Sequence, residues 1–175
     1  MLSILNTIFP DIYIPSVYEL PLNELKKKGI RGLVFDIDNT IAPYDVAEPD
    51  ENIIKLFQML KKEGFRICIL SNNNKKRVKT FNQKLKVLAV HKAGKPGIKK
   101  LRKAISAMKL TEIETAMIGD QVFTDMWCGH NAGLYCIMTA PICNRDQFVT
   151  KIKRGLEKQV MKIYFRQLKK EQQNK

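Results

Sequence analysis

The sequence has few of the residues that build zinc sites and disulfide frameworks. Its four cysteines show no CxxC spacing, and its two histidines, His91 and His130, stand far apart. This pattern argues against a structural zinc site and against a disulfide-stapled domain. We therefore expect a reducing, cytosolic environment for the chain.

Long apolar runs and aromatic residues are also scarce. Pro10 and Asp11 interrupt the apolar residues at the start of the chain too early for a membrane span, and no basic stretch precedes them as it does in a signal peptide. Aromatic residues make up 8% of the chain and include a single tryptophan, Trp127. The sequence thus offers no clear stacking platform for nucleic-acid bases.

Acidic residues are too few to balance the basic ones. The 175 residues include 31 Lys and Arg but only 17 Asp and Glu, which leaves a formal net charge of +14. This balance predicts an anionic partner or substrate, and a phosphorylated small molecule, an acidic membrane surface and a nucleic acid all satisfy it. General solubility is the alternative explanation.

Most of the chain alternates between short apolar runs and segments of helical periodicity. We predict strands over residues 30–37, 65–70, 87–90, 115–118 and 134–138, and helices over 49–62, 75–85 and after Lys95-Pro96-Gly97. Such alternation predicts an α/β fold, a three-layer Rossmann-like parallel sheet with helices on both faces. The length fits one domain spanning residues 1–175.

The two ends of the chain carry apolar residues outside this alternation. Residues 144–175 are predicted to form a basic amphipathic helix, which packs on the core, binds anionic lipid or clasps a partner. Its predicted apolar face comprises Phe148, Ile152, Leu156, Val160 and Ile163. The apolar residues at 8–14 likewise either touch a membrane interface or pack on the domain.

Polar side chains follow the predicted strands. Asp36 and Asp38 lie at the end of a buried strand and, being two positions apart in an extended backbone, direct their carboxylates the same way. Two carboxylates in one site raise each other's pKa unless a hard cation such as Mg²⁺ takes their oxygens as ligands. Asp120 ends a later strand at the same crevice, and Asp125 supports it. The sequence therefore predicts a magnesium site.

Two further strand exits carry groups suited to phosphate. Ser71 ends the second predicted strand, and Lys95 begins a helix where its ammonium group can meet a phosphate oxygen. The chain thus contains, in order, Asp36-Ile37-Asp38-Asn39-Thr40, Leu70-Ser71-Asn72, Gly94-Lys95-Pro96, and Gly119-Asp120 through Thr124-Asp125. Each motif alone is common, but the four in this order resemble the haloacid dehalogenase superfamily of phosphohydrolases.

This resemblance implies catalytic roles for the acidic residues of the first motif. Asp36 would attack phosphorus and become an aspartyl-phosphate. Asp38 would protonate the leaving oxygen in the first step and activate water in the second. Thr40 would order the loop that holds them.

The resemblance also implies how phosphate and metal are held. Ser71, the backbone amide of Asn72 and Lys95 would bind the transferring phosphoryl oxygens. The Mg²⁺ ligands would be Asp36, the backbone carbonyl of Asp38, and Asp120. The interval from Asp38 to Ser71 has room for one helix and one strand, so we expect no cap domain and an active site open to a large substrate surface.

A closer resemblance covers most of the chain. It rests on Phe9-Pro10-Asp11, Gly29-Ile30-Arg31-Gly32, Gly119-Asp120-Gln121 and Asn131-Ala132-Gly133. These segments look like the subclass IIIA branch that includes phosphatidylglycerophosphate phosphatases of bacteria and mitochondria. The resemblance implies hydrolysis of phosphatidylglycerophosphate to phosphatidylglycerol, with peripheral contact at the inner face of the cell membrane. Two alternatives are a phosphatase of nucleotides or nucleic-acid ends, and an inactive basic module that binds membrane or RNA.

Overall fold

The computed structural model describes residues 7–143 and 148–173, with side chains described at 7–143 and 155–170. The strands are β1 (Ile12–Ile14), β2 (Gly32–Phe35), β3 (Arg66–Leu70), β4 (Leu88–Val90), β5 (Thr115–Gly119) and β6 (Tyr135–Thr139). The helices are α1 (Leu22–Lys27), α2 (Glu51–Lys62), α3 (Lys75–Leu85), α4 (Lys99–Ala107), α5 (Trp127–Ala132) and α6 (Phe148–Gln173). A π-helical turn, Val122–Met126, precedes α5.

The strands form one parallel sheet of six strands in the order β1-β6-β5-β2-β3-β4. From β2 the chain builds outward through β3 to β4, then returns to β5 on the other side of β2. Ligands of open α/β sheets bind where the strand order reverses in this way, beyond the carboxyl ends of the strands. The observed sheet confirms the predicted α/β class, and its strand order makes the carboxyl ends of β2 and β5 the expected position of a ligand site.

Two apolar clusters cover the two faces of the sheet. One face of β2, with Leu33 and Phe35, packs against the buried sides of α2 and α3, whereas Val34 on the other face packs with α4 and α5. All four residues of β2 are buried because helices cover both faces. The predicted three layers are therefore present.

The short edge strand β1 was not predicted. Ile12, Tyr13 and Ile14 pair in parallel with β6, and Asp11 accepts a hydrogen bond from the backbone N–H of Cys136 at 2.6 Å. Phe9 is buried, so the described part of this apolar segment packs on the domain. Three residues after Pro10 and Asp11 give too short a pattern to identify a strand from sequence.

Helix α6 packs on the domain with a face that overlaps the predicted one only in part, because Val160 of the predicted face packs against the core. Met161 and Tyr164 are buried, and Tyr164 lies against Phe9 with ring centroids 5.6 Å apart. Leu156 and Ile163, which we expected on the packed face, are 60% and 38% exposed. The helix has apolar residues along two neighbouring stripes, so periodicity alone did not select the packed one. The predicted contacts of Phe148 and Ile152 lie outside the described side chains.

A buried acid fixes α6 against the carboxyl side of the sheet. Glu157 is 5% exposed and accepts a hydrogen bond from the backbone N–H of Phe123 at 3.2 Å. Phe123 belongs to the π-helical turn after β5. Within the described residues, no helix is both long enough and apolar enough to cross a membrane.

Candidate active site

Strand β2 delivers Asp36 to the carboxyl edge of the sheet. The backbone N–H of Asp36 donates to the carbonyl of Ile118 at 3.0 Å, which continues the β2–β5 ladder by one residue. The Asp36 side chain is 8% exposed, although a carboxylate is costly to bury without a partner. The fold thus buries an acidic side chain at the carboxyl edge of the sheet.

Two more carboxylates surround Asp36. Asp120 directly follows β5, and Asp125 lies in the π-helical turn; both are fully buried. One oxygen of each of the three carboxylates lies within 4.8 Å of the others, so the group could hold a metal ion. Thr40 donates to Asp120 at 3.1 Å, and Asp125 accepts from the backbone N–H of Gln121 at 3.1 Å, so both acids are oriented.

Lys95 enters this acidic cluster from the loop after β4. Its Nζ donates to Oδ1 of Asp36 at 2.7 Å and to Oδ1 of Asp125 at 2.6 Å, and its side chain is 2% exposed. Asn72 fixes the loop, because its side chain accepts from the backbone N–H of Lys95 at 2.8 Å and donates to the Lys95 carbonyl at 3.1 Å. Lys95 is thus bound to two acids and held in place by a third residue.

The charge of the cluster is not balanced within the protein. Burial, opposed by Lys95 and reinforced by Asp125 and Asp120, raises the pKa of Asp36 to about 8. Burial lowers the pKa of Lys95, but Asp125 and Asp36 together outweigh it, so its pKa lies above the usual range. When Asp36 is ionised, three carboxylates against one ammonium leave negative charge that a divalent cation can neutralise, and carboxylate oxygens are the donors that hard cations prefer.

The Asp38 side chain points to a different set of partners. Arg77, in the first turn of α3, donates to Oδ1 of Asp38 from Nη2 at 3.0 Å and from Nε at 3.2 Å. Asn73 donates to Oδ2 at 3.3 Å. The same guanidinium group also donates to the carbonyls of Pro43 and Val46. Arg77 therefore ties Asp38 and the loop that follows it to the start of α3.

Sequence reasoning missed Arg77, although a signal was present. Asn74 caps α3 through the backbone N–H of Arg77 at 2.9 Å, and Phe81 and Leu85 are buried on the side that α3 turns to the core. Arg77 lies four residues before Phe81, and its side chain is only 10% exposed. A charged residue on the buried stripe of a helix needs an acidic partner, so its position pointed to a carboxylate nearby.

Ser71 and Asn72 lie between the cluster and Asp38. Ser71 is 1% exposed, and its hydroxyl oxygen accepts from the backbone N–H of Asn73 at 3.1 Å. Within the described residues, the backbone N–H of Asn72 has no hydrogen-bond acceptor. The residues that sequence analysis assigned to phosphate thus lie on two adjacent loops joined by the Asn72 side chain.

A second group of possible metal ligands, Asp11, His130 and Cys136, is occupied by structural contacts. The Asp11 carboxylate binds the backbone of Cys136, and His130 Nε2 lies 2.6 Å from the carbonyl of Phe9. Burial raises the pKa of Cys136 well above its usual value, so its sulfur is a thiol rather than a thiolate. This group joins β1 to β6.

Comparison with known proteins identifies the chain. A family model described as mitochondrial PGP phosphatase matches residues 1–143. The chain belongs to this family. Its sequence is 31% identical over 152 residues to "Probable phosphatase YqeG" of Bacillus subtilis, covering 87% of this chain and 88% of that protein. The chain is accordingly a phosphoric monoester hydrolase of the haloacid dehalogenase type.

A more distant relative and a solved structure are also similar to the chain. The chain is 25% identical over 172 residues to "Phosphatidylglycerophosphate phosphatase 1, chloroplastic/mitochondrial" of Arabidopsis thaliana, covering 91% of this chain but 49% of that protein. The cobalt-bound deoxy-D-mannose-octulosonate 8-phosphate phosphatase of Haemophilus influenzae superposes with a TM-score of 0.54 at 17% identity, over 67% of this chain and 74% of that one. This last likeness is one of fold.

Proposed function

We propose that the chain removes the terminal phosphate of phosphatidylglycerophosphate in a magnesium-dependent reaction through an aspartyl-phosphate. The observation that carries the proposal is the buried cluster of Asp36, Asp120 and Asp125 with Lys95 at its centre. A buried acid at the end of the central strand, with a cation beside it, suits nucleophilic attack on a phosphate ester.

In the first step, Asp36 is the nucleophile. The Asp36 oxygen that is not bonded to Lys95 forms the bond to phosphorus as the bond from phosphorus to the ester oxygen breaks. The protonated Asp38 carboxyl group gives its proton to that leaving oxygen. The product alcohol departs, and the phosphoryl group stays on Asp36 as an acyl phosphate.

In the second step, Asp38 is the base. Its carboxylate takes a proton from a water molecule whose oxygen bonds to phosphorus, and the bond between phosphorus and Asp36 breaks. Inorganic phosphate leaves, and the protonated Asp38 is ready for another turnover. Arg77 and Asn73 support this role because they fix both oxygens of the Asp38 carboxylate.

Charge on the transferring phosphoryl group is held by residues on two loops. Ser71, the backbone N–H of Asn72 and the Lys95 ammonium are proposed to bind its oxygens. Asn72 is exposed, so its backbone N–H is accessible to a ligand, and its side chain is bonded to the backbone of Lys95. Thr40 keeps Asp120 oriented, and Asp125 keeps Lys95 oriented, through the hydrogen bonds described above.

The donor set fits Mg²⁺. Asp36, the backbone carbonyl of Asp38 and Asp120 would hold the ion, with Asp125 close enough to orient it or its waters. Bound there, Mg²⁺ supplies positive charge that neutralises the carboxylates and the phosphoryl oxygens. Lys95 cannot supply that charge alone, because it is one cation bonded to two acids of a cluster that contains three.

The lipid substrate is supported by family membership and by the shape of the site. One helix and one strand fill the interval from Asp38 to Ser71, so no cap encloses the crevice. An open site can meet a headgroup that stays in a bilayer, and the net charge of +14 favours an anionic surface. We propose a cytoplasmic protein that works peripherally at the inner face of the cell membrane.

The test is phosphate release from phosphatidylglycerophosphate in mixed micelles, beside a nucleotide and a phosphorylated oligonucleotide. Wild type should release phosphate from the lipid with Mg²⁺ and not with EDTA, and Asp36→Asn should abolish release. Turnover of the nucleotide or oligonucleotide alone would keep the mechanism and replace the substrate. Undiminished turnover by Asp36→Asn would remove Asp36 as the nucleophile.

A further inference from the structure

The carboxyl edge of the sheet carries exposed basic and apolar side chains around the active site. We propose that this edge docks on an anionic bilayer, and we call its residues the rim. The rim comprises Lys75, Lys76, Lys92, Lys99, Tyr44, Val46, Trp127 and Ile142. The inference rests on the proposed lipid substrate and deepens it by stating which face of the protein meets the membrane.

The rim lysines are placed where they do not stabilise the fold. Lys75 and Lys76 begin α3, and Lys99 begins α4; neither first turn contains an acidic residue. The positive end of a helix dipole disfavours a cation at these positions. All four rim lysines are exposed, and within the described side chains none has an acidic group within 4.0 Å. Their charge is therefore directed outward without compensation.

The opposite edge of the sheet is also basic, but several of its charges are stabilised by the fold. Lys26 pairs with Glu63 at 2.6 Å, and Arg31 pairs with Glu114 at 3.0 Å. Lysines such as Lys27 lie in the last turns of helices, where the dipole favours a cation. The two edges thus differ in how helix dipoles act on their lysines. The dipole favours Lys27 and Lys62 in the last turns of their helices, whereas it disfavours the rim lysines at the starts of α3 and α4.

The apolar rim residues are fixed to the active-site loops. Val46 is 40% exposed, and its carbonyl is held by Arg77, the residue that pairs with Asp38. Ile142 is 49% exposed, and its backbone N–H donates to the carbonyl of Asn39 at 3.0 Å. Apolar side chains that are half exposed on anchored backbone gain free energy when a partner removes them from water.

The aromatic rim residues extend this apolar surface. Tyr44, in the loop that Arg77 holds, is 39% exposed. Trp127 is 41% exposed and begins α5 directly after the turn that carries Asp125. Tyr and Trp favour the headgroup level of a bilayer because each combines an apolar ring with a polar atom. The rim therefore offers both kinds of side chain found at membrane interfaces.

A bilayer matches this combination better than a nucleic acid does. Phosphates would attract the lysines, but Val46 and Ile142 would gain little against a sugar-phosphate chain. An anionic leaflet supplies negative headgroups for the lysines and an apolar boundary for the exposed side chains. It also presents its phosphate esters at the same edge as Asp36.

Helix α6 offers a competing surface that the experiment must separate from the rim. Leu156 and Ile163 are exposed on this basic helix. If the rim is the docking surface, the exposed residues of α6 should contribute little to vesicle binding, because it is the rim side chains that surround the active site. Changing Leu156 and Ile163 to Ser should leave vesicle binding within about twofold of wild type, whereas changing rim residues should not.

The experiment is flotation of the full chain with vesicles of phosphatidylcholine plus phosphatidylglycerol, and with vesicles of phosphatidylcholine alone. Wild type should bind only the anionic vesicles, and less at high salt. Lys75→Gln with Lys76→Gln should weaken binding about 30-fold, and Tyr44→Ser with Val46→Ser about tenfold. The matched controls are Lys27→Gln with Lys62→Gln, which remove the same charge from the opposite edge, and Ile113→Ser, which removes a residue 79% exposed there.

The outcomes separate the rim from the proposed reaction, because flotation needs no turnover. The proposal is overturned if wild type ignores anionic vesicles, if the controls lose as much binding as the rim variants, or if only Leu156→Ser with Ile163→Ser loses it. Binding to a single-stranded oligonucleotide in place of vesicles overturns it as well. Rim variants that lose vesicle binding but hydrolyse a soluble phosphate ester as fast as wild type would show that the rim binds the membrane and does not take part in the reaction.

Discussion

Replacing Lys95 with Met tests whether the buried cluster depends on its one cation. The change removes an ammonium group that is 2.7 Å from Asp36 and 2.6 Å from Asp125, and it leaves buried carboxylates facing one another. Breaking a buried ion pair on one side costs about 3–5 kcal/mol. For a chain of this length each kcal/mol shifts Tm by about 2–4 °C, so we expect a fall of roughly 6–20 °C.

The measurement is thermal unfolding followed by circular dichroism, in EDTA and in Mg²⁺. The fall should be largest in EDTA and smaller in Mg²⁺, because a divalent cation replaces the lost charge. Lys26→Met is the matched control: it breaks a pair of similar length, 2.6 Å, between side chains that are 41% and 45% exposed. Exposed pairs contribute about 0–1 kcal/mol. Equal losses in the two variants would refute the assignment of Lys95 as the charge that holds the cluster together.

Three further predictions follow from the same contacts. Arg77→Gln should lower kcat by about 10- to 100-fold with little change in KM, because Asp38 loses its orienting partner. Arg77→Lys should keep part of the wild-type kcat. Unchanged kinetics in Arg77→Gln would show that Arg77 does not position Asp38. Gly119→Ala should cost about 1–3 kcal/mol of stability and most of the activity, because the added methyl group overlaps Cβ and Cγ of Asp125; normal unfolding and turnover would contradict the close approach. In EDTA, the free energy of unfolding should fall as pH rises from about 4 to 8, by up to about 1.4 kcal/mol per pH unit. The reason is that Asp36 has a pKa of about 8 in the folded protein and keeps its proton there, whereas Asp36 in the unfolded chain has lost it. Denaturant titrations at several pH values measure that slope, which Asp36→Asn should flatten; the same slope in the variant would assign it to other groups.

The sheet was predictable because local pattern and burial agree in its central strands. The run that ends at Phe35 is apolar throughout, and the segment ending at Leu70 is followed by polar turn residues, so both strands were identified with bounds close to those observed. The edge strand β1 has three residues and pairs only with β6. Its stability comes from that pairing, which no short window of sequence contains.

The sequence predicted the site residues that directly follow strands, but it did not predict the one that a helix contributes. Asp36 and Asp120 follow neighbouring parallel strands, so their proximity follows from the sheet. Arg77 meets Asp38 across 39 residues of chain because α3 starts beside the loop after β2. Periodicity places Arg77 on the buried side of α3 and so indicates an acidic partner, but it does not identify Asp38, because that contact depends on how α3 packs.

The contact between Glu157 and the backbone N–H of Phe123 has a consequence for comparing relatives. The family match ends at residue 143, yet an acid beyond that limit satisfies a donor two residues from Asp125. A buried N–H without an acceptor is costly, so a relative that lacks this helix must satisfy the donor with another side chain or a water molecule. The end of the family-model match is therefore not the end of the unit that holds the catalytic turn in place.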